Sequence, residues 1–195
     1  MTGSGRWVDR SLAEFARATA AQGPVPGSGS VAAAVGALGA GLASMALGSA
    51  RDEGAAAQAA RELARTMEAL LARVDADAEA YARYLEARAG RAELEPAVEG
   101  SIAVPVEMAA LALAALERLA EGSTAVRPRL HSELVTASQA LFACVEGATF
   151  TARSNLSGLA APERCAEHEH ALGELRARAA GLVRAIQEPL GGDRR

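Results

Sequence analysis

Alanine supplies 50 of the 195 residues, against three Phe, two Tyr and one Trp. Alanine is the strongest helix former, and the β-branched and aromatic residues that fit a sheet are scarce, so helices are expected throughout. A core built from such small side chains also requires its helices to approach closely. Half the residues are apolar and 23% are charged, which excludes a disordered or collagen-like chain. The length suits one domain with a sizeable core, and no linker-like stretch divides residues 1–195.

Val31 to Ala50 is a run of twenty residues without a charge. On length alone it could span a bilayer. It is made of Ala and Gly rather than Leu and Ile and has no flanking aromatic anchors, so a buried core helix is expected and no membrane contact. All 20 basic residues are Arg. A G+C-rich genome accounts for that without function, but it leaves no lysine for Schiff-base or general-base chemistry. The net charge of -4 argues against a nucleic-acid partner, whose phosphates call for a basic patch. Cys144 and Cys165 lie 21 positions apart. Without a paired Cys-x-x-Cys spacing they indicate neither a zinc site nor a structural disulfide. Met1 to Trp7 lacks the apolar run of a signal peptide, and a cytoplasmic location is expected.

Periodicity and punctuation divide the chain into helices. Ser11-Leu12-Ala13-Glu14 is a capping box that starts a helix running to about Gln22. Gly23-Pro24-Val25-Pro26-Gly27-Ser28-Gly29-Ser30 breaks it, because two prolines forbid continuation. Ser30 is then the expected cap of a second helix, Val31 to about Ser49. A long amphipathic helix is predicted from Ala55 to Arg88, its buried stripe marked by Leu63, Met67, Leu70, Leu71, Val74, Ala78, Tyr81 and Leu85. Gly90 to Glu95 reads as a loop. Further helices are predicted over Pro96 to Glu121 with a kink at Pro105, over Ser132 to Leu156, and over Pro162 to Gln187. Arg127-Pro128-Arg129-Leu130 is a turn, and Gly191 to Arg195 is a frayed tail. No strand pattern occurs. The predicted fold is an all-α single-domain bundle of five to six helices, and an alanine-rich bundle that buries little area per helix gains stability as a homodimer.

Chemistry can sit in three places. The Gly-rich turn enters a helix, where bare backbone amides attract anions, but the same residues make a tight connector. Arg73 to Tyr81 sets Asp77 at the edge of the buried stripe, where an unpaired acid is costly unless it is functional; the plainer reading is a solvated acidic face. Arg127 to Glu133 opens the helix that also carries Arg153-Ser154-Asn155, although a carboxylate near a helix start is favourable simply as a cap. His168 and His170 alternate with Glu near Cys165 and read as solvated surface. No metal is expected.

Taken together, these segments resemble the cyclodeaminase/cyclohydrolase family, which comprises the cyclodeaminase domain of formimidoyltransferase-cyclodeaminase and the methenyltetrahydrofolate cyclohydrolases. Pro24-Val25-Pro26-Gly27-Ser28-Gly29-Ser30-Val31-Ala32-Ala33 is similar to the family's Pro-x-Pro-Gly-Gly-Gly-Ser-x-x-Ala. Asp75-Ala76-Asp77-Ala78-Glu79-Ala80-Tyr81 is similar to its Asp-x-Asp-Ala-x-Ala-aromatic segment. Val104-Pro105 matches a later Val-Pro, Ser132-Glu133-Leu134 stands at its Ser-Asp-Leu, and Asn155-Leu156 at its Asn-Leu. The resemblance covers residues 11–187.

The resemblance implies a dimeric helical enzyme without a cofactor, whose small-molecule substrate is a tetrahydrofolate one-carbon derivative. Such enzymes expel ammonia from 5-formiminotetrahydrofolate or add water to the methenyl bridge. It assigns catalysis to Asp77 and Glu133, and substrate contact to Pro26, Gly27, Ser28, Gly29, Ser30, Arg51, Tyr81, Arg127, Ser132 and Asn155. The departures are equally specific. Glu133 replaces an Asp, Ser28 the central Gly, Thr151 an Asn, and Arg127 a common Asn. Of the family's basic segment only Arg51 remains. That loss predicts weak turnover of methenyltetrahydrofolate with little preference for polyglutamates. Two other readings are a diverged enzyme acting on a non-folate cyclic amidine or imine in specialised metabolism, and a non-catalytic dimeric binding protein.

Overall fold

The uncharged stretch forms the central helix of the domain. The computed structural model describes residues 5–50 and 54–191. Among these lie six α-helices: α1 (Leu12–Thr19), α2 (Ser28–Gly48), α3 (Ala55–Arg88), α4 (Leu94–Gly122), α5 (His131–Asn155) and α6 (Pro162–Gln187). No strand occurs among the described residues. Helices α2 to α5 form an up-and-down ring with antiparallel neighbours, and α6 lies in the groove between α4 and α5.

Small residues set how closely α2 is gripped. A Cβ at Gly36 would stand 2.6 Å from Cys144 Sγ, and one at Gly39 would stand 2.9 Å from Ala140 Cβ. Both distances lie inside van der Waals contact, so α5 packs directly on the α2 backbone. Ala33, Ala37, Ala40, Ala43 and Leu47 fill the remaining core side of α2 with Leu63, Leu70, Met108, Leu116 and Leu141. By length and composition α2 is apolar enough to cross a membrane, but here it serves as the core helix that its Ala and Gly content predicts. A smaller cluster of Val98, Ile102, Ala152, Leu156 and Leu172 ties the start of α4 to the end of α5 and to α6.

Most boundaries follow local chemistry. Ser11 and Glu14 form the predicted capping box, although α1 ends at Thr19 rather than Gln22. Helix α3 stops in a Schellman turn: Arg91 N–H donates to Glu86 O at 3.0 Å, Gly90 N–H to Ala87 O at 3.0 Å, and Gly90 takes φ 73°. Helix α4 starts at Leu94, two residues before the expected Pro96, because proline is tolerated in a first turn. Helix α2 requires a correction. It begins at Ser28 with Gly27 as its cap residue, so Ser30 lies inside the first turn and does not cap it.

Candidate active site

The Asp-x-Asp segment divides its labour across α3, because residues two apart on a helix point about 200° apart. Asp75 faces the N-terminal segment. Its carboxylate accepts the backbone N–H groups of Trp7 and Val8 and pairs with Arg6 at 3.4 Å. This buried acid is a strap for the chain that precedes α1.

Asp77 faces the start of α2 and is 8% exposed. Its Oδ2 accepts a hydrogen bond from Ser30 Oγ at 3.0 Å, and the Ser30 backbone N–H also bonds to it. That amide is one of the four a helix start leaves unpaired, so a carboxylate from α3 serves the end of α2 that Gly27 leaves bare. The approach is possible only because residue 29 has no side chain: a Cβ there would lie 1.9 Å from Asp77 Oδ1 and 2.4 Å from Cγ. Two effects oppose each other at this carboxyl. Burial favours the neutral form, the Ser30 hydrogen bonds favour the charged form, and burial prevails, holding Asp77 above the usual carboxylate range.

Above Asp77 opens a cavity of about 450 Å³, within the range that holds a small organic ligand. The turn contributes Pro24, Val25, Gly27, Ser28 and Gly29, and α3 contributes Asp77, Ala80 and Tyr81. The far wall is one face of α5: Gly147, Phe150, Thr151, Ser154 and Asn155. Thr151 Oγ1 lies 2.9 Å from the Gly147 carbonyl and 2.9 Å from Ser28 Oγ. Thr151 donates to the carbonyl, so Ser28 donates to Thr151. Among the described residues, Asp77 and Tyr81 are the only ionisable side chains of the lining, and no arginine lies in it.

Asn155 holds the last corner of the cavity. Its Nδ2 donates to the Ser101 carbonyl at 2.7 Å. In a regular helix that carbonyl would accept the N–H of residue 105, but residue 105 is proline and has none. The side-chain amide of α5 therefore replaces the backbone bond missing from α4, and one contact couples the Val-Pro and Asn-Leu motifs.

Gly27, Ser28, Gly29, Asp77, Tyr81 and Asn155 thus come together, as the sequence predicts. Ser30 and Pro26 are buried behind the lining rather than in it. Ser132, Glu133 and Arg127 lie at the opposite end of α5. Glu133 precedes Gly147 by fourteen positions, about 21 Å along the helix. Its carboxylate accepts from Ser132 Oγ at 2.8 Å. The expected pairing of Asp77 with Glu133 in one chain's pocket is therefore corrected: a motif can locate a residue on a helix without showing that its end reaches the site. Arg51 lies outside the described residues. Sequence reading also missed Gly147, Phe150 and Ser154 as lining, although with Thr151 and Asn155 their spacing marks one helical face. Among the described residues no three His, Cys, Asp or Glu side chains cluster.

Fold and site together define a helical-bundle protein with a small-molecule pocket at a helix N-terminus and a buried carboxyl at its base. Residues 11–174 match the formiminotransferase-cyclodeaminase family, and the chain belongs to that family. Its fold is similar to that of formiminotetrahydrofolate cyclodeaminase from Thermotoga maritima, with a TM-score of 0.84, 22% identity, and coverage of 94% of this chain and 97% of that one. No curated protein matches the sequence.

Proposed function

We propose that this chain is a cyclodeaminase or cyclohydrolase acting at the amidine carbon of a tetrahydrofolate one-carbon adduct, of the 5-formimino or 5,10-methenyl type. Asp77 is its proton-transfer group. The observation that carries the reading is the Asp77 carboxyl itself, buried at the base of a ligand-sized cavity and held towards its protonated form.

In the deaminating direction the substrate N10 attacks the formimino carbon and a tetrahedral aminal forms. N10 gives up its proton, the amino group is protonated, and the carbon–nitrogen bond to the departing ammonia breaks. The bonding pair leaves with ammonia, and the lone pair that N10 holds after losing its proton closes the cationic methenyl bridge. A carboxyl whose affinity for a proton is raised by burial suits both transfers, and its ionised form offsets the cationic amidine. In the hydrolytic direction Asp77 takes a proton from the attacking water and returns it to the ring nitrogen that leaves, while the remaining hydroxyl proton is lost to solvent as the formyl carbonyl forms. Neither direction requires a cofactor. Gly27 lets the ligand approach the backbone, Gly29 makes room for the Asp77 carboxyl, Tyr81 offers a ring face, and Ser28 with Thr151 borders the mouth. The working unit is a cytoplasmic homodimer, a reading supported by the uncharged outer face of α2.

Incubation with 5-formiminotetrahydrofolate should release ammonia in step with methenyl absorbance, and Asp77→Asn should abolish both. Absence of turnover of both the formimino and methenyl compounds would reject the folate reading. One observation supports a second reading: among the described residues, the pocket lining contains no cation for a folate glutamate. Turnover of a cyclic amidine lacking a glutamate tail, with none of the folate adducts, would select that reading instead.

A further inference from the structure

We infer that Asp75 is a positioning residue for the substrate: through the N-terminal segment it holds the pocket wall formed by Pro24 and Val25. This rests on the reading of the Asp77 cavity as the active site. The two acids of the Asp-x-Asp segment secure the two ends of one stretch of chain. Asp77 accepts the Ser30 hydroxyl at the start of α2, and Asp75 accepts the backbone N–H groups of Trp7 and Val8. Between these anchors the chain leaves α3 beside Asp75. It comes back at the cavity that Pro24 and Val25 line together with Asp77, Ala80 and Tyr81. Asp75 and Ala80 are five positions apart, about 8 Å along α3. Val8 and Val25 are 17 positions apart, enough chain to span about 56 Å if extended. The clasp at Asp75 folds that length into a closed loop, whereas an open segment would have far more arrangements to lose.

Little else fixes that wall. Among the described residues, none of 22–26 makes a hydrogen bond, so its place is set from its ends. Downstream, Pro26 is buried and Gly27 leads into α2. Upstream, α1 has no buried residue and Leu12 is 76% exposed. A helix of eight residues does not hold itself together in water. Aromatic contact ties it to the strap instead. The Trp7 ring meets Phe15 edge-on with centroids 6.5 Å apart, and both pack against the core. Arg10 stands over the Trp7 ring, 4.2 Å from its centroid. The residue whose amide Asp75 accepts is therefore the one that seats α1, and α1 ends five positions before Pro24. Release of the strap would leave Pro24 and Val25 fastened at Pro26 alone. A ligand would then have to order its own wall, which weakens binding, while Ser30 still holds the Asp77 carboxyl for chemistry.

Asp75→Asn keeps the size of the side chain but removes its charge and one acceptor. With the helices intact by circular dichroism, KM for 5-formiminotetrahydrofolate should rise at least about tenfold and kcat stay within about twofold, as expected for lost uniform binding. Val8→Pro withdraws an N–H from the other side of the strap, leaves α3 untouched, and should shift KM the same way. If Asp75→Asn does not fold, Val8→Pro carries the same tests. Two readouts need no turnover. Trp7 is the single tryptophan, so release of the strap should move its emission to the red and increase its quenching by acrylamide. Val25→Cys reports the wall itself, in a Cys165→Ser background with Cys144 buried. It should react with Ellman's reagent at least about threefold faster when Asp75 is replaced by Asn, through greater access. An unchanged KM, thiol rate or Trp7 emission in a folded variant overturns the inference. A fall in kcat at constant KM also overturns it, because Asp75 would then act on the chemistry and not on the wall. No turnover of either folate adduct by wild type would reject the folate reading, and the Trp7 and Val25→Cys readouts would then decide the clasp by themselves.

Discussion

The hydroxyls of Ser28 and Thr151 meet 2.9 Å apart between the start of α2 and the wall of α5. Both positions depart from the family pattern that the sequence resembles, where a glycine and an asparagine are usual. The two departures are therefore one coupled change at the mouth of the pocket. Thr151 anchors it by donating to the Gly147 carbonyl, which leaves its oxygen free to accept from Ser28.

The Ser28→Gly/Thr151→Asn double variant should widen that mouth and return an amide to the wall. Relative kcat/KM for 5-formiminotetrahydrofolate should rise at least tenfold over wild type. Replacing both members of a hydrogen-bonded pair leaves no orphan, so stability should change by less than about 1 kcal/mol. An unchanged kcat/KM would exclude the pair as a determinant of substrate choice.

Asp77→Asn should separate stability from catalysis. A carboxyl whose pKa is raised on folding binds its proton more tightly in the folded state. Its ionisation therefore destabilises the fold as pH rises from its unfolded value, about 3.9, through the higher folded one. At neutral pH the variant should match or exceed wild type in Tm, and its stability should lack that part of the decline. Activity should fall at least about a hundredfold. A large loss of Tm at neutral pH would mean that the charged carboxylate is a structural cap above all.

Gly29→Ala should have the opposite balance of causes. The added methyl would occupy the place of the carboxyl, which must swing away from Ser30. Crowding costs about 1–3 kcal/mol, and alanine regains about 0.5–1 kcal/mol in a helix. Unfolding free energy should therefore drop by no more than about 2.5 kcal/mol, while activity falls about a hundredfold or more through misplacement. Full activity would show that Asp77 tolerates the shift.

Asn155→Ala should destabilise by about 1–3 kcal/mol, because it leaves the Ser101 carbonyl without a partner. Pro105→Ala supplies the missing N–H from within α4. In a double-mutant cycle by urea unfolding, the loss at Asn155 should shrink by at least about 1 kcal/mol when residue 105 is alanine. Additive effects would show that the two residues act separately.

How far the sequence could be read follows from what periodicity encodes. The spans Ala55–Arg88 and Pro162–Gln187 emerge as predicted, because each has a stripe, a breaker before it and a stop after it. Asp77 is recognisable as an acid beside a buried stripe. Its partner Ser30 reads as a cap because nothing local shows that a carboxylate from another helix will serve that helix end. Asn155 is visible as a motif, but its role depends on α4 lying beside α5 with a carbonyl freed by Pro105. The displacement of Glu133 has the same origin. Heptad and helical spacing fix faces, while the ends that meet are set by how long helices pack against one another.

The glycine contacts of α2 also determine where this scaffold can diversify. Residues 29, 36 and 39 each touch a neighbouring helix through the space a side chain would fill, so one face of α2 can accept almost no substitution. The wall of α5 and the turn at Pro24 and Val25 border the same cavity and have side chains to exchange. A library aimed at a new ligand belongs on Phe150, Thr151 and Ser154. Lineages that changed substrate on this bundle should carry their record there, with α2 left nearly silent.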